Sequence, residues 1–397
     1  MLNLTRLYCG VAQPADHLRY GQGHGAPRSA SERRPIVVWN ITRRCNLNCI
    51  HCYSDSTAQV YPGELTLEQC NAVIDDLAEF KVPAVLLSGG EPLIHPHFFD
   101  LASRAVQKGL RLTLSTNGTL IDLSTAKKIK ELGFSYVGIS LDGIGDTHDY
   151  FRGKKGAFEK TIEAFRNCKA VGQKVGLRLT LTRNTVDDLE RILDFIEFEN
   201  IDRVCFYHLV YSGRGANLVS VPPARTRAAI DRIIDRTMQW NQNGKTREVL
   251  TVDQPADNAF LYLRLLREQS PRAKEVYDLL KWNGGGANSS GVGIGNIDTQ
   301  GNVHPDQFWQ SVTLGNVKET PFSKIWTRTD HPILNGLRNR RPLLKGRCGI
   351  CRFQEICGGG FRVRAEQVFG DPWAEDPGCY LTMDEIAAAP AEALAGV

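Results

Sequence analysis

No run of about 18 apolar residues occurs anywhere in the 397-residue chain, so the sequence offers no helix to span a bilayer. The opening MLNLTRLYCG has no sustained apolar core and no cleavage site follows, which argues against a secretory signal. Charge of one sign is also scarce: the net +4 is too small to suggest nucleic acid as a partner. A mild basic excess would nevertheless suit a substrate rich in carboxylates. No internal repeat and no low-complexity tract is present, which excludes solenoids and disordered arrays. What remains is an ordinary globular composition, 42% hydrophobic and 23% charged, long enough for roughly two or three domains. Eleven cysteines, most of them clustered at metal-like spacings, point to a reducing, cytoplasmic setting.

The order of the chain suggests α/β architecture. Residues 1–34 carry little periodicity and read as an extended leader. From Pro35 onward, β-rich runs alternate with helical patterns. The runs are Pro35–Trp39, Ala84–Leu87, Arg111–Ser115, Tyr136–Leu141, Val175–Leu181 and Arg203–Leu209. Six such units predict parallel strands joined by helices, a partial (β/α)6 barrel over residues 35–215, two units short of a closed one. The unusual loops, CNLNCIHC, SGGEP, STNG, SLDG and YSGRG, each follow one of these strands. Parallel α/β architectures place their sites at those strand ends. Residues 216–290 read as a helical connection with a flexible glycine turn at Gly284–Gly286. Residues 291–397 read as a small α+β domain opening on a hairpin.

The densest chemistry lies at Cys45, Cys49 and Cys52, spaced C-x3-C-x2-C. Three thiolates hold three corners of a [4Fe–4S] cube and leave one iron open to a small molecule. A zinc knuckle is the competing reading, although no fourth Cys or His follows at ordinary zinc spacing. A second set, Cys348, Cys351, Cys357 and Cys379, lies among the glycines 346, 349, 358, 359 and 360. Four thiols there suit another [4Fe–4S] cluster or one zinc ion. Cys70, Cys168 and Cys205 read as small buried hydrophobes.

The three-cysteine loop, with His51 before its last Cys and Ser88-Gly89-Gly90-Glu91-Pro92 at the next strand end, resembles the radical S-adenosylmethionine (SAM) superfamily. That resemblance implies a [4Fe–4S] cluster on Cys45, Cys49 and Cys52, with SAM on its open iron. It implies that His51 lies near adenine and that Gly89, Gly90 and Glu91 hold the methionine ammonium. Ser115 and Asn117, Ser140 and Asp142, and Arg178 match positions lining the SAM site. The later cysteines resemble the auxiliary-cluster extensions of the same superfamily. A reduced flavodoxin or ferredoxin is then the expected electron donor.

The wording VVWNITRRCNLNCIHCYS, VLLSGGEP, YVGISLDG, GNVHPDQFW and GDPWAEDPGCYL is similar, nearly end to end, to the tetrapyrrole-modifying branch of that superfamily. The branch implies a didecarboxysirohaem substrate. One member type removes its acetate groups in an alternative haem route and another removes propionates towards haem d1. The LTRLYCG leader and HPDQFW point to the first. A peptide-modifying enzyme is a further alternative, against which the short leader counts, and a non-catalytic iron–sulfur or zinc protein is the rival from another class. For substrate contact the sequence offers His208, Tyr211, Arg214, His304, Asp306 and Trp309. Arg178, Arg347, Arg362 and Arg364 are further partners for carboxylates, because guanidinium binds them in bidentate fashion.

Overall fold

The computed structural model describes residues 1–13, 16, 20, 34–328 and 330–387. They fall into two units. One takes the described residues of Ser29–Val219 and Ser289–Asn335, and the other those of Met1–Arg28, Ser220–Asn288 and Gly336–Val397. Strands are numbered along the chain: β1 (Leu2–Asn3), β2 (Ile36–Thr42), β3 (Val85–Gly89), β4 (Leu112–Thr116), β5 (Tyr136–Ser140), β6 (Val175–Leu181), β7 (Arg203–His208), β8 (Glu248–Val252), β9 (Ile294–Ile297), β10 (Asn302–His304) and β11 (Gly315–Asn316).

In the first unit, β2 to β7 pair successively in parallel, each reached through helix, as the alternating pattern requires. Val37, Leu87, Leu114, Val137, Leu177 and Val204 are at most 2% exposed, so the strands read as apolar runs covered on both faces. The helices pack by a narrow stripe. In Leu67–Glu79, Cys70, Val73, Ile74 and Leu77 are buried, and Thr66 with Gln69 closes its start as a reciprocal capping box. Asp122 caps Leu123–Glu131 by accepting from the Thr125 amide at 2.7 Å.

The partial barrel of the sequence reading is thus met, with its strand limits shifted by a few residues. The hairpin near 294–304 forms as expected, but its place differs. β9 lies parallel to β2, and β10 and β11 follow antiparallel, so this segment extends the first unit's sheet instead of opening a C-terminal domain. Asn296 makes the pairing specific by donating from its amide to the Val38 carbonyl at 2.8 Å.

The second unit gathers distant parts of the chain. β1 pairs antiparallel with β8, and Leu2, Leu4 and Leu7 are buried. The Thr5 hydroxyl donates to the Arg247 carbonyl at 2.6 Å. The start of the supposed leader is therefore packed structure, because three leucines within six residues form an apolar face too short to show periodicity. Most of the rest of that leader, 14–15, 17–19 and 21–33, lies outside the described residues. The glycine turn is no flexible link either. A Cβ on Gly286 would stand 2.1 Å from the Cys357 carbonyl oxygen, and one on Gly285 2.4 Å from that of Ile356. Only glycine lets the two backbones approach so closely.

Candidate active site

The loop Cys45–Cys52 leaves the end of β2 and is held from several sides. The end of β3 supports it first. Gly90 donates to the Thr42 carbonyl at 2.7 Å and Glu91 to that of Arg44 at 2.8 Å. Gly89, at φ +142°, has no room for a Cβ beside the Thr42 carbonyl. From the helix Asp146–Arg152, the carbonyls of Phe151 and Arg152 accept from the amides of Ile50 and Asn48 at 3.0 and 3.1 Å. From the turn after β7, Arg214 donates to the Cys49 carbonyl (2.7 Å), Asp55 (2.6 Å) and the Ser56 carbonyl (2.9 Å).

These supports bring Cys45, Cys49 and Cys52 into one packed cluster with Leu47 and Ala157. Each sulfur has a donor pointed at it: the Leu47 amide at 3.4 Å from Cys45, an Arg152 N–H at 3.5 Å from Cys49, and the Ser56 amide at 3.4 Å from Cys52. Thiolates with N–H donors are what an iron–sulfur cluster requires of its protein. Burial pushes the Cys45 thiol up to about 12 and also raises Cys49. Loading a cluster on Cys45 and Cys49 would therefore release protons from them.

Of the other expected cofactor residues, Asn117 and Asp142 contact this loop, while Ser115, Ser140 and Arg178 lie on β4, β5 and β6. Asn117 Nδ2 donates to Asn46 at 2.9 Å and approaches the Cys45 sulfur at 3.9 Å. Ser115 and Ser140 are half-buried on β4 and β5, and Ser140 stands in register with Arg178. His51 Nε2 faces Asp142 at 3.2 Å and its ring meets the edge of Phe151. Burial alone would raise Asp142, but Arg152 and His51 outweigh it and hold its carboxyl below the usual range. Arg178 donates to the Tyr207 hydroxyl at 2.6 Å and lies over that ring, and among the described residues no carboxylate contacts it.

Glu91 differs from expectation. It is fully buried, and its oxygens accept from the Thr116 hydroxyl (2.8 Å), the Asn117 amide (2.8 Å) and the Leu93 amide (3.2 Å). Instead of offering an open acceptor, the side chain brackets the ends of β3 and β4. Burial raises its pKa to about 7 despite these donors.

Several proposed substrate contacts are likewise occupied internally. Arg214 clamps the cysteine loop. His304 has Nδ1 2.8 Å from the Val312 carbonyl and Nε2 3.3 Å from Asp298, which leaves neither nitrogen for a metal. Asp306 accepts from Ser290 and from the amides of Phe308 (2.8 Å) and Trp309 (3.1 Å), closing its own turn. Trp309 is wholly buried. His208, at the end of β7, is buried, and Tyr211 is half-buried.

The sequence reading missed Arg152, His148 and Tyr53. Arg152 and His148 sit on a short helix with no motif to mark them. Burial and then Arg152 push His148 down to about 3, so its neutral Nδ1 accepts from the Asp142 amide at 3.1 Å. The Tyr53 hydroxyl lies 3.2 Å from Asn40 and 3.3 Å from Ser88, at the ends of β2 and β3. Its place directly after Cys52 was the available signal.

In the second unit, Cys348, Cys351, Cys357 and Cys379 line one cavity, together with Gly359, Gly360 and Asp376. The Asp376 amide lies 3.4 Å from the Cys348 sulfur and the Phe353 amide 3.4 Å from that of Cys351. The arginines expected to meet carboxylates are spent here. Arg364 is 1% exposed and ion-paired to Asp376 at 2.8 Å. Arg362 donates to the carbonyls of Gly359, Pro372 and Ala374, and Arg347 to that of Leu381. A buried guanidinium without such partners would be too costly to keep.

A parallel sheet whose cysteine loop, glycine-rich strand end and polar strand termini share one end defines a class of α/β proteins able to hold a three-thiolate cluster. Residues 39–196 match the model of the Radical SAM superfamily. The chain is 48% identical to the Fe-coproporphyrin III synthase of Methanosarcina barkeri, over 97% of this chain and 99% of that one. It is 47% identical to the pre-heme d1 synthase of Dinoroseobacter shibae, over 90% and 88%. Among solved structures, SuiB of Streptococcus suis bound to S-adenosylmethionine is similar in fold. Its TM-score is 0.67 at 18% identity, covering 88% of this chain and 78% of that one. The chain belongs to the radical SAM superfamily and is an enzyme of the branch these curated relatives represent. That membership implies a [4Fe–4S] cluster and SAM, and the three thiols, two buried and one half-buried, fit the cluster with their N–H donors.

Proposed function

We propose that this enzyme removes two acetate side chains from 12,18-didecarboxysirohaem to give Fe-coproporphyrin III. One observation carries the reading: the likeness to the Methanosarcina barkeri synthase runs over 97% of this chain and 99% of that one. The likeness to the pre-heme d1 synthase is nearly as high in identity, but covers 90% and 88%. Removal of propionates towards haem d1 is therefore the second reading.

In this proposal Cys45, Cys49 and Cys52 hold the first cluster. When bound, the cluster and SAM supply a one-electron cleavage that yields a carbon radical able to abstract hydrogen. The protein orients and excludes. Glu91 ties β3 to β4 beneath the loop, Asn117 approaches Cys45, and Asp142 fixes His51. Arg178, with a hydroxyl and, among the described residues, no carboxylate as partner, is suited to a carboxylate of SAM or of the tetrapyrrole. Cys348, Cys351, Cys357 and Cys379 would hold an auxiliary [4Fe–4S] cluster. Their four thiols line one cavity, and the backbone amides of Phe353 and Asp376 approach two of the sulfurs, as a cluster's sulfurs require. A reduced flavodoxin or ferredoxin in the cytoplasm would supply electrons. No helix of the described residues is long and apolar enough to cross a membrane.

The test is anaerobic turnover of didecarboxysirohaem with SAM and a reductant, followed by product mass. Loss of two acetates supports the proposal, and loss of propionate carbons supports the haem d1 reading. An unchanged tetrapyrrole with 5′-deoxyadenosine formed sends the search to peptides.

A further inference from the structure

Two of the three thiols at the first site receive neutral donors, from backbone amides and from Asn117. Cys49 is different. Among the described residues its sulfur faces a charged donor, Arg152 Nη1 at 3.5 Å. Arg152 is 6% exposed, and its other terminal nitrogen is ion-paired with Asp142, itself 1% exposed. Asp142 is anchored in turn, accepting from the Thr180 amide at 2.7 Å and facing His51 at 3.2 Å. The pair is therefore fixed in orientation, with its positive end on Cys49 and its negative end away from it. In such a buried place water and salt screen it little.

Hydrogen bonds to the sulfurs, local charge and burial set the reduction potential of an iron–sulfur cluster. A cation on one sulfur favours the reduced state, and a carboxylate behind that cation weakens the effect. We propose that the Arg152–Asp142 pair tunes the potential of the first cluster, Arg152 raising it and Asp142 moderating the rise. This inference rests on the reading that Cys45, Cys49 and Cys52 hold a cluster. The loop itself does not depend on the Arg152 side chain, because the helix end holds Asn48 and Ile50 through the backbone carbonyls of Arg152 and Phe151. Arg152 and Asp142 thus act as tuning residues, separable from the structural support beneath them.

The experiment is an EPR-monitored redox titration of the full chain, reconstituted anaerobically with both clusters. The first cluster is recognised by the change of its signal on adding SAM. R152Q should lower its midpoint potential, D142N should raise it, and R152K should stay near wild type, with iron content unchanged. A merely structural role would move R152Q and D142N the same way or neither, and either result overturns the proposal. Should R152Q fail to hold iron, D142N against R152K decides, and equal potentials there also overturn it. A wild-type protein showing no SAM-responsive cluster would instead sink the site reading itself.

Discussion

Gly90 stands so close to Arg44 that a Cβ on it would lie 2.1 Å from the Arg44 carbonyl oxygen. The double glycine is therefore the seat on which the cysteine loop rests, whatever else it meets. Gly90→Ala should displace the loop at an overpacking cost of about 1–3 kcal/mol. Iron bound per chain after reconstitution should fall towards half, the second site being retained. Full iron content in G90A would show that the loop does not need this seat.

Arg214 donates to the Cys49 carbonyl within that loop and, just past it, to Asp55 and the Ser56 carbonyl. Arg214→Met should free Asp55 and two carbonyls, and hydrogen bonds from a charged donor contribute about 1.5–3 kcal/mol each. Chelator-driven iron loss from the first site should quicken by roughly tenfold or more. Unaltered iron loss with weakened substrate binding would restore Arg214 to the substrate.

Glu91 provides a pH test. Its folded pKa, raised to about 7 by burial, exceeds the ordinary 4.5, so the folded protein holds this proton more tightly than the unfolded chain. The associated stability is fully present below about 4.5 and is lost as pH rises through about 7. Glu91→Gln, which cannot titrate, should lack this slope. Urea unfolding of the anaerobic holoprotein at several values between pH 5.5 and 8, chosen as rough bounds of that window, compares the two. Parallel profiles would show that the bracket does not titrate there.

Arg364 and Asp376 form a doubly hydrogen-bonded pair in the second unit, 2.9 and 2.8 Å apart, both almost without exposure. Arg364→Met strands the carboxylate and should destabilise the unit by about 3–5 kcal/mol. Chemical denaturation would show it, together with loss of the auxiliary cluster's signal, since the Asp376 amide approaches Cys348. A stable R364M with altered substrate affinity would return this arginine to carboxylate recognition.

Much of the fold was legible because periodicity is local. Apolar runs such as Val175–Leu181 and stripes such as Cys70, Val73, Ile74 and Leu77 declare strand and helix within a few residues. The hidden parts depend on distant partners. Leu2–Leu7 carry too few residues to show a period, and β9 announces nothing of its parallel pairing with β2.

By itself the sequence determined the thiol sets, the α/β order and the superfamily, since spacing and residue type alone limit which metal groups can be held. Only the tertiary structure decided which charges are free to meet a ligand. Arg178, Arg214, Arg362 and Arg364 look alike as letters, yet burial obliges each guanidinium to find partners: a hydroxyl for Arg178, carboxylates or carbonyls for the other three. Arg152, which no motif marks, was brought to Cys49 by the packing of one short helix.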